Sequence, residues 1–201
     1  MRTNQRVEHR TQFLLRIALL AGVWAFTARG QEPAPAQEQS ESAAGYKQFL
    51  DRVHAYASLH KSIEANLPAL KSTDLPEMIT GHQQALARKI REARPNAKRG
   101  DIFTESAAKA FRRTIRDEFR GPHGKGARAT IRQGEPLTKI HLHVNEPYPD
   151  GVPFTTVPPS LLHEFPKLPE QVVTYRIVGH DLILLDVDAN LVLDRIPEII
   201  P

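Results

Sequence analysis

VVTYRIVGHDLILLDVDANLVLDRI, residues 172–196, holds three apolar, β-branched runs separated by two turn signals. Val172–Val178, Asp181–Val187 and Leu191–Ile196 each have the length of a strand, and their branched side chains suit a pleated surface. Gly179-His180 fits a two-residue hairpin with glycine at its first central position. Asp188-Ala189-Asn190 fits a slightly longer turn, because Asp and Asn tolerate left-handed backbone. Leu182 to Leu185 is apolar on both faces, the pattern of a central strand. Three successive strands with short connections predict an antiparallel meander.

Outward from the meander, nine prolines fall from Pro122 to Pro169, which rules out long helices there. Within that part Thr138–Val144 reads as a short strand, with Ile140, Leu142 and Val144 on one side. Ser160–Phe165 reads as a single helical turn. Further upstream the apolar period lengthens to three and four residues. Tyr46, Phe49, Leu50, Val53, Ala57, His60, Ile63 and Leu67 form one stripe, stopped by Pro68. A second helix starts after Asp74 with Pro76 in its first turn, carries Leu75, Met78, Ile79, His82, Leu86 and Ile90, and ends before Pro95. A third is capped by Thr104, buries Ala107, Ala108, Phe111, Ile115 and Phe119, and stops at Gly121-Pro122. The fold class is therefore α+β: three amphipathic N-terminal helices packed on a small C-terminal antiparallel β-meander.

Residues 1–30 have the order of an export signal. Arg2, Arg6 and Arg10 precede an apolar run from Ile17 to Phe26, and Ala28-Arg29-Gly30 places small residues at a cleavage site. A membrane-spanning helix needs about twenty apolar residues, so this run is read as cleaved after Gly30, and a membrane contact is expected only if the leader is retained as an anchor. Five basic residues and one acid lie in the leader, out of 27 and 23 in the chain. Without it the charges balance, which argues against nucleic acid as a partner. Residues 31–44 have no apolar side chain larger than Ala and are expected to be a flexible linker. Residues 45–201 then form a single α+β domain, with a helical part over 45–120, a proline-rich part over 121–170 and the meander over 171–201. With no cysteine, the domain must hold by burial alone, and thiolate sites are excluded.

A resemblance accompanies these readings. Tyr175-Arg176-Ile177-Val178-Gly179 and the run from Asp181 to Asp194 are similar to the ending of a group of uncharacterised exported bacterial proteins. Gly100-Asp101-Ile102-Phe103-Thr104 and Thr156-Val157-Pro158-Pro159 resemble their middle. The likeness covers roughly residues 98–201. It implies a bacterial, exported α+β protein and supplies no activity. The strand, glycine turn and second strand are also loosely similar to periplasmic metal-homeostasis proteins.

Several side chains are candidates for chemistry. His141 and His143 flank Leu142 on the expected strand, so both imidazoles share a face about 7 Å apart. Such a pair holds zinc or copper when a third donor joins, for which His163, His180 and Glu146 are available. Asp186, Asp188 and Asn190 occupy the first three ligand positions of a calcium loop, but Leu191 stands where glycine is required and Pro197 where the bidentate Glu belongs. Turn chemistry is the better account of them. Arg99-Gly100-Asp101 matches an adhesion tripeptide and is read as the approach to the third helix. The arginines of the second and third helices are read as solvated faces. His60 and His82 lie on helical stripes and read as boundary residues. Neither a Gly-x-Ser-x-Gly elbow nor a phosphate-binding glycine loop is present.

The sequence thus points to an exported protein, periplasmic or extracellular, with no cofactor and no catalytic motif. It is expected to act as a non-catalytic binding or structural module on an unknown protein or envelope component. Tyr148, Phe154 and Phe165 in the proline-rich segment are its candidate contact surface, since extended proline stretches bind at low entropic cost. The alternative is a periplasmic metal-binding protein using His141 and His143.

Overall fold

The computed structural model describes residues 35–70, 75–133, 140–169 and 172–200. The leader, residues 31–34, the expected helix cap Asp74 and the first two residues of the expected strand at 138–144 lie outside that set.

Among the described residues four strands form one antiparallel sheet in the order β1 (Thr155–Thr156), β2 (Val173–Val178), β3 (Asp181–Asp186) and β4 (Leu191–Ile196). The three long strands stand where the apolar runs place them, so the fold is α+β with its sheet at the C-terminal end. Val178 pairs with Asp181, and Gly179 between them has φ 58°, as a two-residue hairpin with glycine first requires. β1 is an addition to the expected meander: Thr155 and Thr156 pair with Ile177 and Arg176.

Between β3 and β4 the register slips by one residue, because Leu184 pairs with Asp194 and Leu185 with Val192. The extra residue, Leu193, breaks the alternation of side chains. Leu191 and Leu193 both join the helix-side core, and Asp194, opposite the core residue Leu184, follows them to that face. A carboxylate consequently lies fully buried in a strand that otherwise reads as apolar.

Among the described residues five helices accompany the sheet, and α4 is the one not expected: α1 (Pro35–Glu64), α2 (Pro76–Ala93), α3 (Glu105–Arg120), α4 (Gly124–Arg132) and α5 (Pro159–Glu164). α5 is the expected single turn. α4 was hidden by its glycines and arginines, and only Gly124 and Ala127 of it are buried. α1 begins ten residues before Gly45, inside the stretch expected to be a linker. Ala, Gln and Glu there are good helix formers, and extending a formed helix costs far less than starting one. Arg113 of α3 also holds this turn, donating to the Glu38 carbonyl and, at 2.9 Å, to the Ser42 hydroxyl. α3 follows expectation: Thr104 caps it by accepting from the Ala107 N–H, and Gly121 ends it.

One core joins helices and sheet. Phe49 and Val53 of α1, Leu86 and Ile90 of α2, Phe111 and Ile115 of α3, and Tyr175, Ile177 and Leu184 of the sheet belong to it. α1 and α3 approach so closely that a methyl group on Gly45 would lie 2.6 Å from the Ser106 carbonyl oxygen. The opposite face of the sheet carries a smaller cluster of Val178, Ile183, Leu185 and Val192, covered by Leu142 and Tyr148. Ile140–Val144 forms no strand, a correction to the sequence reading. The chain reaches the sheet only afterwards, where the Asn145 N–H donates to the Val192 carbonyl at 2.7 Å and Pro147 bridges Leu191. This segment covers the free edge of β4. No helix among the described residues is long and apolar enough to cross a membrane.

Candidate functional site

Asp186 ends β3 with its side chain on the helix face, opposite Leu191. It is fully buried, and a buried carboxylate must be paired or hydrogen-bonded to be tolerated. Its Oδ1 accepts from the backbone N–H groups of Asp188 and Ala189 at 3.0 and 2.8 Å, which closes the β3–β4 turn. Its Oδ2 accepts from the Tyr56 hydroxyl and from His60 Nδ1, the latter at 2.7 Å. One carboxylate thus ties α1 to the turn across more than 120 residues of sequence.

The same contact orients His60. With Nδ1–H donated to Asp186, the other nitrogen, Nε2, carries the lone pair of the neutral imidazole. His60 is fully buried, and Nε2 has no hydrogen-bond partner among the described residues. Two carboxylate oxygens lie near it, Glu64 Oε2 at 3.7 Å and Asp188 Oδ2 at 3.8 Å. Those separations exceed the 2.7–3.2 Å of a hydrogen bond. An orphaned buried nitrogen costs about 1–3 kcal/mol.

Local sequence explains why these groups meet. Glu64 follows His60 by four residues, so both lie on one face of α1. Asp188 sits in the turn that Asp186 closes. α2 completes a groove whose lining includes Glu64, Leu70, Ile79, His82, Leu86 and Asp188. Burial pushes the His60 imidazole pKa down, but the hydrogen bond to Asp186 and the charges of Asp186, Glu64 and Asp188 outweigh it, leaving the pKa above its ordinary value. Asp188 is raised by burial and by the Asp186 carboxylate, against the opposing pull of His60 and His82. Burial and the adjacent Asp186 charge drive the Tyr56 hydroxyl far above its ordinary range, so Tyr56 stays a donor. Among the described residues, His60, Asp186 and Asp188 are the group of side chains able to gather round a metal ion.

Comparison with family models, curated proteins and solved structures finds no match.

The residues singled out from sequence are dispersed. His141 and His143 are both solvent-exposed on either side of buried Leu142, on irregular chain rather than a strand. Tyr148 and Phe165 are buried, which corrects their reading as contact anchors. Tyr148 covers the outer sheet face, and Phe165 packs edge-on against Phe111 and Tyr175 in the main core. Phe154 alone of the three is exposed, at 47%, with the Arg176 guanidinium over its ring. Asn190 adopts φ 48°, and the Asp186 side chain caps the turn, so the Asp186–Asn190 segment performs the turn chemistry expected of it.

Of the residues that do converge, Asp186 and Asp188 carry a turn signal in the sequence, and Tyr56, His60 and Glu64 carry none beyond helical spacing. His60 falls on the apolar stripe of α1, and Tyr56 stands one position from the stripe residue Ala57. The available signal was the His60–Glu64 spacing, which puts two donors on one helical face.

Proposed function

We propose that this chain is an exported bacterial protein acting as a non-catalytic binding module. Its ligand is a divalent cation, held in the groove where α1, α2 and the β3–β4 turn meet. The observation that carries the reading is the buried, unpartnered Nε2 of His60 with two carboxylates within 4 Å. A buried polar atom without a partner calls for an explanation, and a cation supplies one for the nitrogen and both carboxylates at once. Among the described residues lining the groove there is no serine or threonine, and the chain has no cysteine, so neither a hydroxyl nor a thiol competes with the cation for the imidazole there. Export rests on the leader-like order of residues 1–30.

Equilibrium dialysis tests the reading. Untagged protein cleared of metal is dialysed against magnesium, calcium, manganese, cobalt, zinc and copper in turn, and its metal content is measured. One ion per folded chain is expected for at least one cation. Folded protein that retains none of them overturns the reading.

A further inference from the structure

The donor set specifies which cation, an inference that rests on the cation-binding reading above. We propose that the site takes a zinc-type transition ion, bound through His60 Nε2 and the carboxylates of Glu64 and Asp188. His82 of α2 is its fourth donor, and Asp186 is the positioning residue.

Three observations carry this. The first is the state of Asp186, whose Oδ1 is committed to two backbone N–H groups and whose Oδ2 is committed to Tyr56 and His60. It therefore acts behind the imidazole, fixing tautomer and ring orientation, as carboxylates do behind metal-bound histidines. The second is spacing. Zinc bonds of about 2.0–2.2 Å in a tetrahedron leave ligand atoms about 3.4 Å apart. The 3.7 and 3.8 Å from Nε2 to the two carboxylates lie within a few tenths of that edge and are too long for hydrogen bonds. Asp188 already clusters with His60, whereas the Glu64 side chain must swing toward Asp188 to close the sphere. Both carboxylates are about half exposed, so they are free to close that gap. The third is the wall of the groove, whose lining includes His82 of α2 together with Glu64 and Asp188.

Calcium and magnesium are poorly served here. Calcium takes six to eight oxygens and magnesium a near-ideal octahedron of oxygens, whereas this site offers two carboxylates and two imidazoles. Mixed nitrogen and oxygen donors suit the borderline ions.

Cobalt(II) is the probe, because four-coordinate cobalt absorbs intensely in the visible range and zinc displaces it. The metal-free, untagged chain is titrated with cobalt and then zinc, and the same series is run on Glu64→Gln, Asp188→Asn, Asp186→Asn, His82→Ala and the double variant His141→Ala/His143→Ala. The exposed carboxylates of Glu64 and Asp188 can be changed without touching the core, so these two variants stay folded. The expected result is an intense band in the parent chain and affinity lowered at least tenfold by Glu64→Gln and by Asp188→Asn. Asp186→Asn is expected to weaken binding about 10- to 100-fold, the range for such outer partners. The double variant is expected to bind like the parent. His82→Ala should bleach the band toward the weak colour of higher coordination; an unchanged band removes His82 from the ligand set. Cobalt binding indifferent to Glu64→Gln and Asp188→Asn but abolished by the double variant moves the ion to His141 and His143 and overturns the site. Retention of calcium or magnesium with no cobalt or zinc leaves the cation-binding reading standing and overturns this one. No ion of any kind on folded protein overturns both.

Discussion

Gly100 and Asp194, 94 residues apart, are joined by the Gly100 N–H, which reaches both oxygens of the Asp194 carboxylate at 2.9 and 3.2 Å. Ile102 and Phe103 add their N–H groups at 2.8 and 2.7 Å, and Arg195 a fourth at 2.8 Å. The carboxylate therefore takes the place of a neighbouring strand for the chain entering α3. Only the bulge at Leu193 turns it to that side. The chain from Gly100 to Thr104 and the end of β4 are in contact here.

Asp194→Ala leaves up to four backbone donors without an acceptor. At about 1–3 kcal/mol for each buried orphan, the expected loss is about 3 kcal/mol or more. Asp194→Asn keeps one oxygen and should lose less. Urea unfolding at constant slope measures both, and a loss under about 1 kcal/mol for Asp194→Ala would contradict the role given to this side chain.

Two helical glycines should respond in opposite directions to the same change. Gly81 lies inside α2 with nothing within 4 Å of an added methyl, so Gly81→Ala should stabilise by about 0.5–1 kcal/mol. Gly45→Ala offers the same gain in propensity but drives a methyl into the α3 backbone at Ser106, 2.6 Å away. It should destabilise, because backbone cannot step aside as a side chain can. Thermal midpoints of the two variants should fall on opposite sides of the parent.

Alkaline titration should separate the folded from the unfolded chain. Burial raises all four tyrosines above the ordinary phenol value: Tyr148 is pushed up to about 12, and Tyr46, Tyr56 and Tyr175 are also raised. The folded protein thus holds these protons beyond pH 10, where the unfolded chain releases them. Stability from this source is complete below pH 10 and is lost as pH climbs from 10 through about 12. Ultraviolet absorbance should show no tyrosinate step near pH 10 in the native protein and a full one in denaturant. A native step at pH 10 would contradict the burial of Tyr56 and Tyr175.

The export reading predicts a mature chain beginning at Gln31. Mass spectrometry of protein recovered from the producing cells measures it. An intact Met1–Gly30 on cytosolic material would remove the case for export and for a charge-balanced working form.

Regular patterning made most of the architecture legible. The three long strands were bounded to within one residue at each end, because apolar runs and turn residues alternate there without ambiguity. α3 was legible from a cap at one end and Gly-Pro at the other. The bulge was not, since Leu191–Leu193 is apolar throughout and hides a change of phase. α4 carries too little apolar surface to show a period. The candidate site was legible only in fragments. Asp186 and Asp188 stood out as turn residues and His60 as a stripe residue, but their meeting depends on α1 lying across the β3–β4 turn. Short-range spacing contains no such information.

α1 is also a ruler. Twenty-five residues separate Pro35 from His60 along one helix, about 38 Å at 1.5 Å per residue. A dye placed on the first turn of α1 is thereby kept at arm's length from the imidazole along the helix axis. Labelling that end should leave metal uptake untouched, and energy transfer from there to a label beside Asp188 would report on whether the rod stays whole when an ion docks.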